Sequence, residues 1–555
     1  MYRFASIFAG CAAAGKAAEI AAARLRERGI VLAPEGGFCI EFSLCAAMPE
    51  NGFELSAFSG GARVAAADPL GFLHGAGKLL RSLRYGENGF EADIPCGRYA
   101  PRCSVRGVYF ASHFHNYYIN APFEEIRRYI EDLALWGFNY LDAILPSINI
   151  RSEDDEEVSV QCRRLAALFA AAHSLGMKVK TSLFTNGAYL EYPPEYKHTP
   201  VRDDFGRRGN SGNMLCYSKP GVPELMDRYN RTFCEAMRAC GLDMVITWPY
   251  DEGGCGCEQC APWGAKGFLA ASKRAFSIAR EYFPEVRRVL STWMFDTPYE
   301  GEWETLSKDL AAARAAGEPW CDYIMADSHE DFPAYPLEQG VPGQLPLLNF
   351  PEISMWGLYP WGGWGATALP QRFFRLWKQT RNRLDGGFAY SEGIFEDINK
   401  AVVAQLYFFG DEASPEAVLS EYARYELGLN DSVAFVELIS LLEKTHTAVW
   451  ETSTCLLADA DRCHALAKEI DGQLPAHAKA SWRWRQIYLR TLIDARRYRL
   501  AHEAGEPLKL GDGRWKELLA GDAAIRDAFD ELKRLYFSME DASSDPYHGR
   551  VRPLF

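Results

Sequence analysis

Acidic side chains follow three of the strands that the sequence predicts. Asp251 and Glu252 follow the fourth strand, Glu352 the seventh and Glu392 the eighth. Cleavage of a glycosidic bond needs one carboxylic acid that protonates the leaving oxygen and a second group that stabilises the oxocarbenium-like centre. Two adjacent carboxylates resist simultaneous ionisation, which favours a protonated acid at such a pair. The pattern predicts glycoside hydrolysis, with Asp251, Glu252 and Glu352 as the catalytic residues.

Aromatic rings and further polar side chains are concentrated at the same strand ends. Aromatic residues make up 13% of the chain, and their flat apolar faces with polar edges suit the binding of sugar rings. Glu392 is predicted either to bind sugar hydroxyls or to act as a nucleophile. The predicted substrate-binding residues at these strand ends are His113, His115, Trp248, Tyr250, Trp293, Asp327, His329, Asn349, Trp356, Trp361, Tyr390 and Glu392.

These residues need a fold that brings strand ends together. From Val105 onwards, eight strand-like runs alternate with helical stretches, although the helix between the sixth and seventh runs is short or missing. Such an alternation is what an eight-stranded β/α barrel requires, and catalytic side chains in that fold lie at the carboxyl ends of the strands. A doubly wound sheet would need a glycine-rich phosphate turn after its first strand, but Gly107 is alone there. The sequence therefore predicts an α/β protein built on a (β/α)8 barrel.

The rest of the chain divides around this barrel. Residues 1–100 predict a small α/β domain that begins with a helix over 12–28, and residues 101–405 form the predicted catalytic barrel. Residues 406–555 predict a helical domain, in which Ser414 precedes Pro415 and Glu416 as a helix start. We expect the arginine-rich helix over 480–504 to pack against the acidic barrel through ion pairs.

Several short motifs resemble those of known glycosidases. The segments Gly52-Phe-Glu-Leu-Ser and Gly71-Phe-Leu-His-Gly-Ala-Gly-Lys-Leu-Leu resemble the small domain that precedes the barrel in family 20 hexosaminidases and family 67 α-glucuronidases. Arg106-Gly107, His113-Phe114 and Asp251-Glu252 are similar to family 20 motifs, and the chain is identified as a divergent relative of this group. The resemblance implies that Arg106 binds sugar hydroxyls, that Asp251 orients a substrate 2-acetamido group and that Glu252 is the acid/base.

Three functions are compatible with these observations. The first prediction is an exo-acting β-N-acetylhexosaminidase-like enzyme, in which the acetamido oxygen of the substrate attacks the anomeric carbon. The alternative is a retaining glycosidase of another sugar, for example a glucuronide, that uses Glu252 and Glu352 directly. From a different class, the barrel could be a carbohydrate-binding protein without catalysis. The expected partner in each case is an oligosaccharide or glycoside.

Composition excludes other classes of partner. The chain has 555 residues and a formal net charge of −14, which disfavours binding to nucleic acid or to an anionic membrane surface. It has no apolar run long enough to span a membrane. The 15 cysteines are scattered and odd in number, which predicts reduced thiols in a cytoplasmic protein. The sequence leaves the oligomeric state open.

One group of cysteines has the spacing of metal ligands. Cys255, Cys257 and Cys260 follow the acidic pair directly. Zinc is one interpretation, with His115 or Cys216 as the fourth ligand. Small residues in a tight loop are the other, and because no second ligand pair is visible nearby, the prediction is a protein without metal or cofactor.

Overall fold

The computed structural model describes residues 1–34, 36–86, 89–113, 116–201, 213–251, 253–328, 331–354, 366–380, 383–447, 457–507 and 512–537. None of the described helices combines the length and the apolar character needed to cross a membrane.

The first hundred residues form a six-stranded sheet, a separate two-stranded sheet of β6 and β7, and two helices. The strand order is β2-β1-β3-β5-β4-β8, with β1, β3 and β5 parallel and β4 antiparallel to its neighbours. Asp68 caps α2 by accepting a hydrogen bond from the backbone N–H of Gly71, and a proline occupies the first helical position. The elements are β1 (Phe4–Ala9), α1 (Gly15–Glu27), β2 (Val31–Leu32), β3 (Phe38–Leu44), β4 (Phe53–Phe58), β5 (Gly61–Ala66), α2 (Pro69–Ser82), β6 (Leu83–Gly86), β7 (Gly89–Ala92) and β8 (Gly97–Tyr99).

A closed barrel of eight parallel strands follows, which confirms the predicted fold class. Its strands are β9 (Val105–Phe110), β10 (Tyr140–Ala143), β11 (Lys178–Ser182), β12 (Met244–Thr247), β13 (Arg287–Ser291), β14 (Tyr323–Ser328), β15 (Leu347–Pro351) and β16 (Leu384–Ser391). The helices between them are α3 (Tyr117–Asn120), α4 (Phe123–Trp136), α5 (Glu156–His173), α6 (Val222–Met237), α7 (Gly267–Tyr282), α8 (Glu302–Ala315), α9 (Ala334–Glu338) and α10 (Pro370–Thr380). The short α9 lies between the sixth and seventh barrel strands, where the sequence predicts little helix. We call the carboxyl end of the barrel strands the mouth and the amino end the base.

Alternate residues of each strand face the barrel interior. Gly107 of β9 faces inward, where a Cβ atom would lie 2.2 Å from the ring of Phe388 on β16. Two residues further along β9, Tyr109 therefore also faces inward. The interior also encloses an ion pair between Asp142 of β10 and Lys180 of β11, both 0% exposed. The interior is thus a packed core that includes a buried charge pair below the mouth.

Helices make up the remainder of the chain. They are α11 (Asp397–Phe409), α12 (Pro415–Leu427), α13 (Val433–Thr447), α14 (Leu457–Gln473), α15 (Ala476–Lys479), α16 (Trp482–Glu503), α17 (Asp512–Leu519) and α18 (Ala523–Phe537). The predicted domain boundary at residue 405 lies inside α11. Arg483 of α16 forms ion pairs with Asp132 of α4 and Asp397 of α11, at 3.0 and 2.9 Å. The basic side of this helix thus faces acids of the barrel helices, as its composition predicts.

Candidate active site

Five inward-facing rings form a layer near the mouth, which we call the aromatic floor. It consists of Tyr109, Trp248, Trp293, Phe350 and Tyr390. Tyr109 stacks on Tyr390 with ring centroids 5.4 Å apart, and Phe350 lies edge-on to Trp248 at 4.9 Å. These rings belong to strands β9, β15 and β16 and to the segments that follow β12 and β13 directly. The carboxyl ends of five of the eight barrel strands therefore each contribute a ring to this layer.

Two glutamates lie one step above this floor. Glu352 follows Phe350, and Glu392 follows Tyr390, two residues further along the same inward face of each strand. The Tyr390 hydroxyl donates a hydrogen bond to Oε1 of Glu392 at 2.7 Å, and the backbone of Glu352 pairs with that of Tyr390. Burial and the negative charges of both glutamates raise the pKa of Tyr390 well above its ordinary value, so the phenol stays protonated and remains a donor. Glu352 and Glu392, predicted from the sequence, are thus brought together around one phenol.

Three further predicted residues lie at the same end of the barrel. Asp327 is registered beside Phe350 in the parallel pair β14–β15, so that it shares the inward side of that ring. His113, just beyond β9, is buried with its Nδ1 3.4 Å from the Tyr109 hydroxyl. Asp251 follows β12 and adopts φ 73°, a left-handed backbone that few residues other than glycine adopt. The mouth therefore gathers acids from strands four, six, seven and eight of the barrel.

Trp293 adds an oriented donor to the floor. Its side chain is buried, and within the part of the chain that the structure describes its Nε1 has no hydrogen-bond partner. Trp248, in contrast, donates from Nε1 to the Ser182 hydroxyl at 3.0 Å. A buried N–H group without an acceptor is costly, and a bound hydroxyl would satisfy it.

The structure corrects three of the predicted substrate contacts. Arg106 lies near the base, 0% exposed, and donates to the carbonyls of Gly137 and Cys103 and to Oδ1 of Asn51. Arg106 is the second residue of β9, and the carboxyl end of that strand lies at the mouth. The Arg106 side chain is therefore at the opposite end of the barrel from the site and does not reach a substrate.

Tyr250 and Asn349 are the other two corrections. The buried Tyr250 hydroxyl donates to the carboxylate of Glu302 under the loop that follows β13, so its ring is packing surface. Asn349 precedes the inward-facing Phe350 and therefore faces outward, where its Oδ1 accepts a hydrogen bond from the Ser328 hydroxyl at 2.8 Å. Neither side chain lines the mouth.

Five other predicted site residues lie outside the described part of the chain. They are Glu252, His115, His329, Trp356 and Trp361. Glu252 follows Asp251 directly in sequence, and its role as an acid stays a prediction.

Two buried polar groups near the site were not predicted from the sequence. Lys180 lies 4.2 Å from the ring centre of Phe388 and 5.9 Å from that of Trp248, which places the Asp142–Lys180 pair just below the floor. Glu302 accepts hydrogen bonds from the backbone N–H groups of Gly264 and Asp296 and so links the loops after β12 and β13. The aspartate inside the otherwise apolar strand β10, Tyr-Leu-Asp-Ala, would have been the sequence signal for the pair.

No protein-family profile and no curated protein matches the chain by sequence. Solved structures do resemble it. A family 115 4-O-methyl-α-glucuronidase with specificity for decorated arabinogalactans superimposes with a TM-score of 0.63 at 10% identity, over 98% of this chain and 78% of the other.

Two other glycoside hydrolases share the fold. A family 89 enzyme from Clostridium perfringens, in complex with GlcNAc-α-1,4-galactose, gives a TM-score of 0.58 at 12% identity over 94% of this chain and 70% of the other. A family 20 exo-β-N-acetylglucosaminidase from Vibrio harveyi gives 0.50 at 14% identity over 73% and 70%. The predicted resemblance to barrel glycosidases is thus confirmed for the fold.

Proposed function

We propose that the protein is a glycoside hydrolase. The observation that carries this proposal is the pair of buried glutamates, Glu352 and Glu392, held beside Tyr390 above the aromatic floor at the barrel mouth. Rings that stack on sugar faces and carboxylates that act on the anomeric centre are the two components that glycoside cleavage requires. The fold shared with three glycoside hydrolases supports the same function.

The arrangement favours direct catalysis by two carboxylates. In this proposal Glu352 is the nucleophile that attacks the anomeric carbon, and Glu252 is the acid that protonates the leaving oxygen and then activates water. Glu392, oriented by Tyr390, and the indole N–H of Trp293 bind sugar hydroxyls. A substrate-assisted mechanism needs no carboxylate nucleophile, whereas the direct mechanism needs one at the position of Glu352, which is why the direct route is preferred.

Asp251 favours a second candidate, the substrate-assisted hexosaminidase. A non-glycine residue with φ 73° costs about 1–3 kcal/mol, and such strained residues cluster at active sites. An aspartate held in this way at the mouth, next to Glu252 in sequence, is suited to orient a 2-acetamido group. The two routes predict different substrates. The direct route does not require a 2-acetamido group on the sugar, whereas the substrate-assisted route acts only on N-acetylhexosaminides.

Aryl glycosides test the proposal. Purified protein is assayed with both anomers of nitrophenyl N-acetylglucosaminide, N-acetylgalactosaminide, glucuronide, glucoside and galactoside. On the substrate that is turned over, Glu352→Gln should lower kcat about 10²–10⁴-fold. Glu304→Gln, an exposed glutamate on α8, is the matched control and should leave kcat unchanged.

Two further measurements distinguish the routes. Azide should restore turnover to Glu352→Gly and yield a glycosyl azide, because the small anion replaces the missing nucleophile. If Glu352→Gln keeps full activity and a thiazoline analogue of N-acetylglucosamine inhibits, the substrate-assisted route replaces the direct one. Sugar binding without turnover of any glycoside would show a carbohydrate-binding barrel instead. Product analysis on oligosaccharides tests the predicted action at chain ends.

A further inference from the structure

Three cysteines of the loop that follows β12 converge with a fourth cysteine from an earlier segment of the chain. We call Cys216, Cys255, Cys257 and Cys260 the cysteine cluster. Their four Sγ atoms all lie within 4.8 Å of one another, and those of Cys216 and Cys257 are 3.6 Å apart. Cys216, Cys255 and Cys260 are buried and Cys257 is half-buried.

We propose that the cysteine cluster is a structural zinc site, a role that lies beyond the proposed glycosidase chemistry. Zinc bound tetrahedrally by four thiolates has Zn–S distances of about 2.3 Å, which puts neighbouring sulfurs about 3.8 Å apart. A disulfide would bring two sulfurs to about 2.05 Å. The 3.6 Å between Cys216 and Cys257 matches the edge of a zinc tetrahedron and is too long for a covalent bond.

The backbone is already arranged around such a site. The N–H groups of Cys260 and Ala261 both donate to the carbonyl of Cys257, at 3.1 and 2.8 Å, which forms the turn that a Cys-x-x-Cys ligand pair needs. Between the first two ligands, Gly256 passes so close to Pro200 that a Cβ atom would lie 2.3 Å from its carbonyl oxygen. This compact path lets Cys255 and Cys257 direct their sulfurs to the same point.

The fourth ligand reaches the cluster through a neighbouring segment. The N–H of Cys216 donates to the carbonyl of Tyr196, and the N–H of Gly256 to that of Thr199, both at 2.8 Å. Residues 196–199 therefore align Cys216 with the other three ligands. The sequence left open both a zinc site with Cys216 as the fourth ligand and a tight loop without metal. The geometry supports the zinc site with Cys216.

Four thiolate ligands leave no open coordination position for substrate or water, so the zinc would stabilise the structure and take no part in catalysis. Cys255 lies only three positions after Glu252 in sequence. The metal would link the loop that carries Asp251 and Glu252 to the segment that precedes α6. Loss of zinc should therefore disturb the acidic pair more than the glutamates of β15 and β16.

Metal analysis of the purified full-length chain tests the proposal without any assay of turnover. Protein expressed with zinc in the medium should contain about one equivalent of zinc by mass spectrometry of the metal. Cys257→Ser should lower this content at least about tenfold, because removal of one thiolate opens the closed ligand set. Cys240→Ser, a half-buried thiol outside the cluster, is the matched control and should keep the zinc. Equal zinc in wild type and Cys257→Ser would place the metal elsewhere and overturn the proposal.

Cobalt gives a readout that needs no variant to fold. Wild-type protein loaded with Co²⁺ should show thiolate-to-metal charge transfer and the intense visible bands of a tetrahedral thiolate site. A protein without metal, without these bands, or with disulfides among the four cysteines by mass spectrometry of the unreduced chain would refute the site. Glu352→Gln should retain its zinc, so that failure of the glycosidase proposal and failure of the zinc proposal give different results.

Discussion

The mouth and the base of the barrel both bury charged side chains, but they surround them differently. At the base, the Arg106 guanidinium donates hydrogen bonds to three acceptors within the chain, which are the carbonyls of Gly137 and Cys103 and Oδ1 of Asn51. At the mouth, Glu352 and Glu392 lie around a phenol above a layer of rings. The base uses its charge to join the barrel to the first domain, whereas the mouth holds its charges at the end of the barrel where we propose that the sugar binds. Burial of a charge does not by itself indicate function; its position along the strand does.

Between the two ends lies the Asp142–Lys180 pair, and its disruption should produce the largest effect on stability. Lys180→Met leaves the Asp142 carboxylate buried without its cation, which should cost about 3–5 kcal/mol. The urea midpoint of the variant should fall accordingly. The double variant Asp142→Leu/Lys180→Met, which removes both charges from the same core, should recover most of the loss. A double variant no more stable than Lys180→Met would show that the pair contributes through packing and not through charge.

The pH dependence of stability should reveal a structural acid at the mouth. Burial raises the pKa of Glu302 from 4.5 to about 7, despite the hydrogen bonds that it accepts. Because the folded-state pKa lies above the unfolded value, the stabilisation from this group is full below pH 4.5 and is lost as pH rises through 7, by up to about 3 kcal/mol. In the wild type, the urea midpoint should fall between pH 4.5 and 7 because of this group. Glu302→Gln should abolish that fall, whereas Glu304→Gln should leave it unchanged. An unchanged slope in Glu302→Gln would assign the pH dependence to other groups.

Arg106 at the base should matter for folding and not for turnover. Arg106→Met leaves the buried carbonyl oxygens of Gly137 and Cys103 without the guanidinium donor, at a cost of about 2–3 kcal/mol. The kcat and KM of the folded fraction should equal those of the wild type. A raised KM without a lower urea midpoint would restore Arg106 to the substrate site, as the family resemblance implies.

The barrel could be predicted because its alternation of strands and helices is a local pattern, repeated until the ring closes. The strand β1 (Phe4–Ala9) was not predicted, because the sequence places the start of the first domain at the helix over 12–28. Within the predicted helical domain, α17 and α18 are two separate helices with a break at residues 520–522, which was not predicted from the sequence. These departures involve short segments whose structure depends on tertiary contacts.

The site was harder to predict because side-chain direction depends on register. Asn349 and Phe350 are neighbours in sequence, yet one faces helices and the other the mouth, and a shift of one residue reverses both. Glu352 and Glu392 were predicted correctly to lie at this end because each follows its strand directly. The approach of Cys216 to Cys255 depends on the pairing of loops, which no periodicity encodes.

The smallest expected effect concerns the hydrogen bond between Tyr390 and Glu392. Tyr390→Phe keeps the ring in the aromatic floor and removes the donor 2.7 Å from the carboxylate, which should lower kcat about tenfold, equivalent to about 1.4 kcal/mol. The urea midpoint should stay within about 0.5 kcal/mol of the wild type, because ring packing is preserved. Tyr109→Phe is the matched control, since it removes a hydroxyl of the same floor whose described contact is with Nδ1 of His113, 3.4 Å away. If both variants lower kcat equally, the phenols act through packing of the floor; if only Tyr390→Phe does, orientation of Glu392 by Tyr390 is part of how the mouth differs from the base.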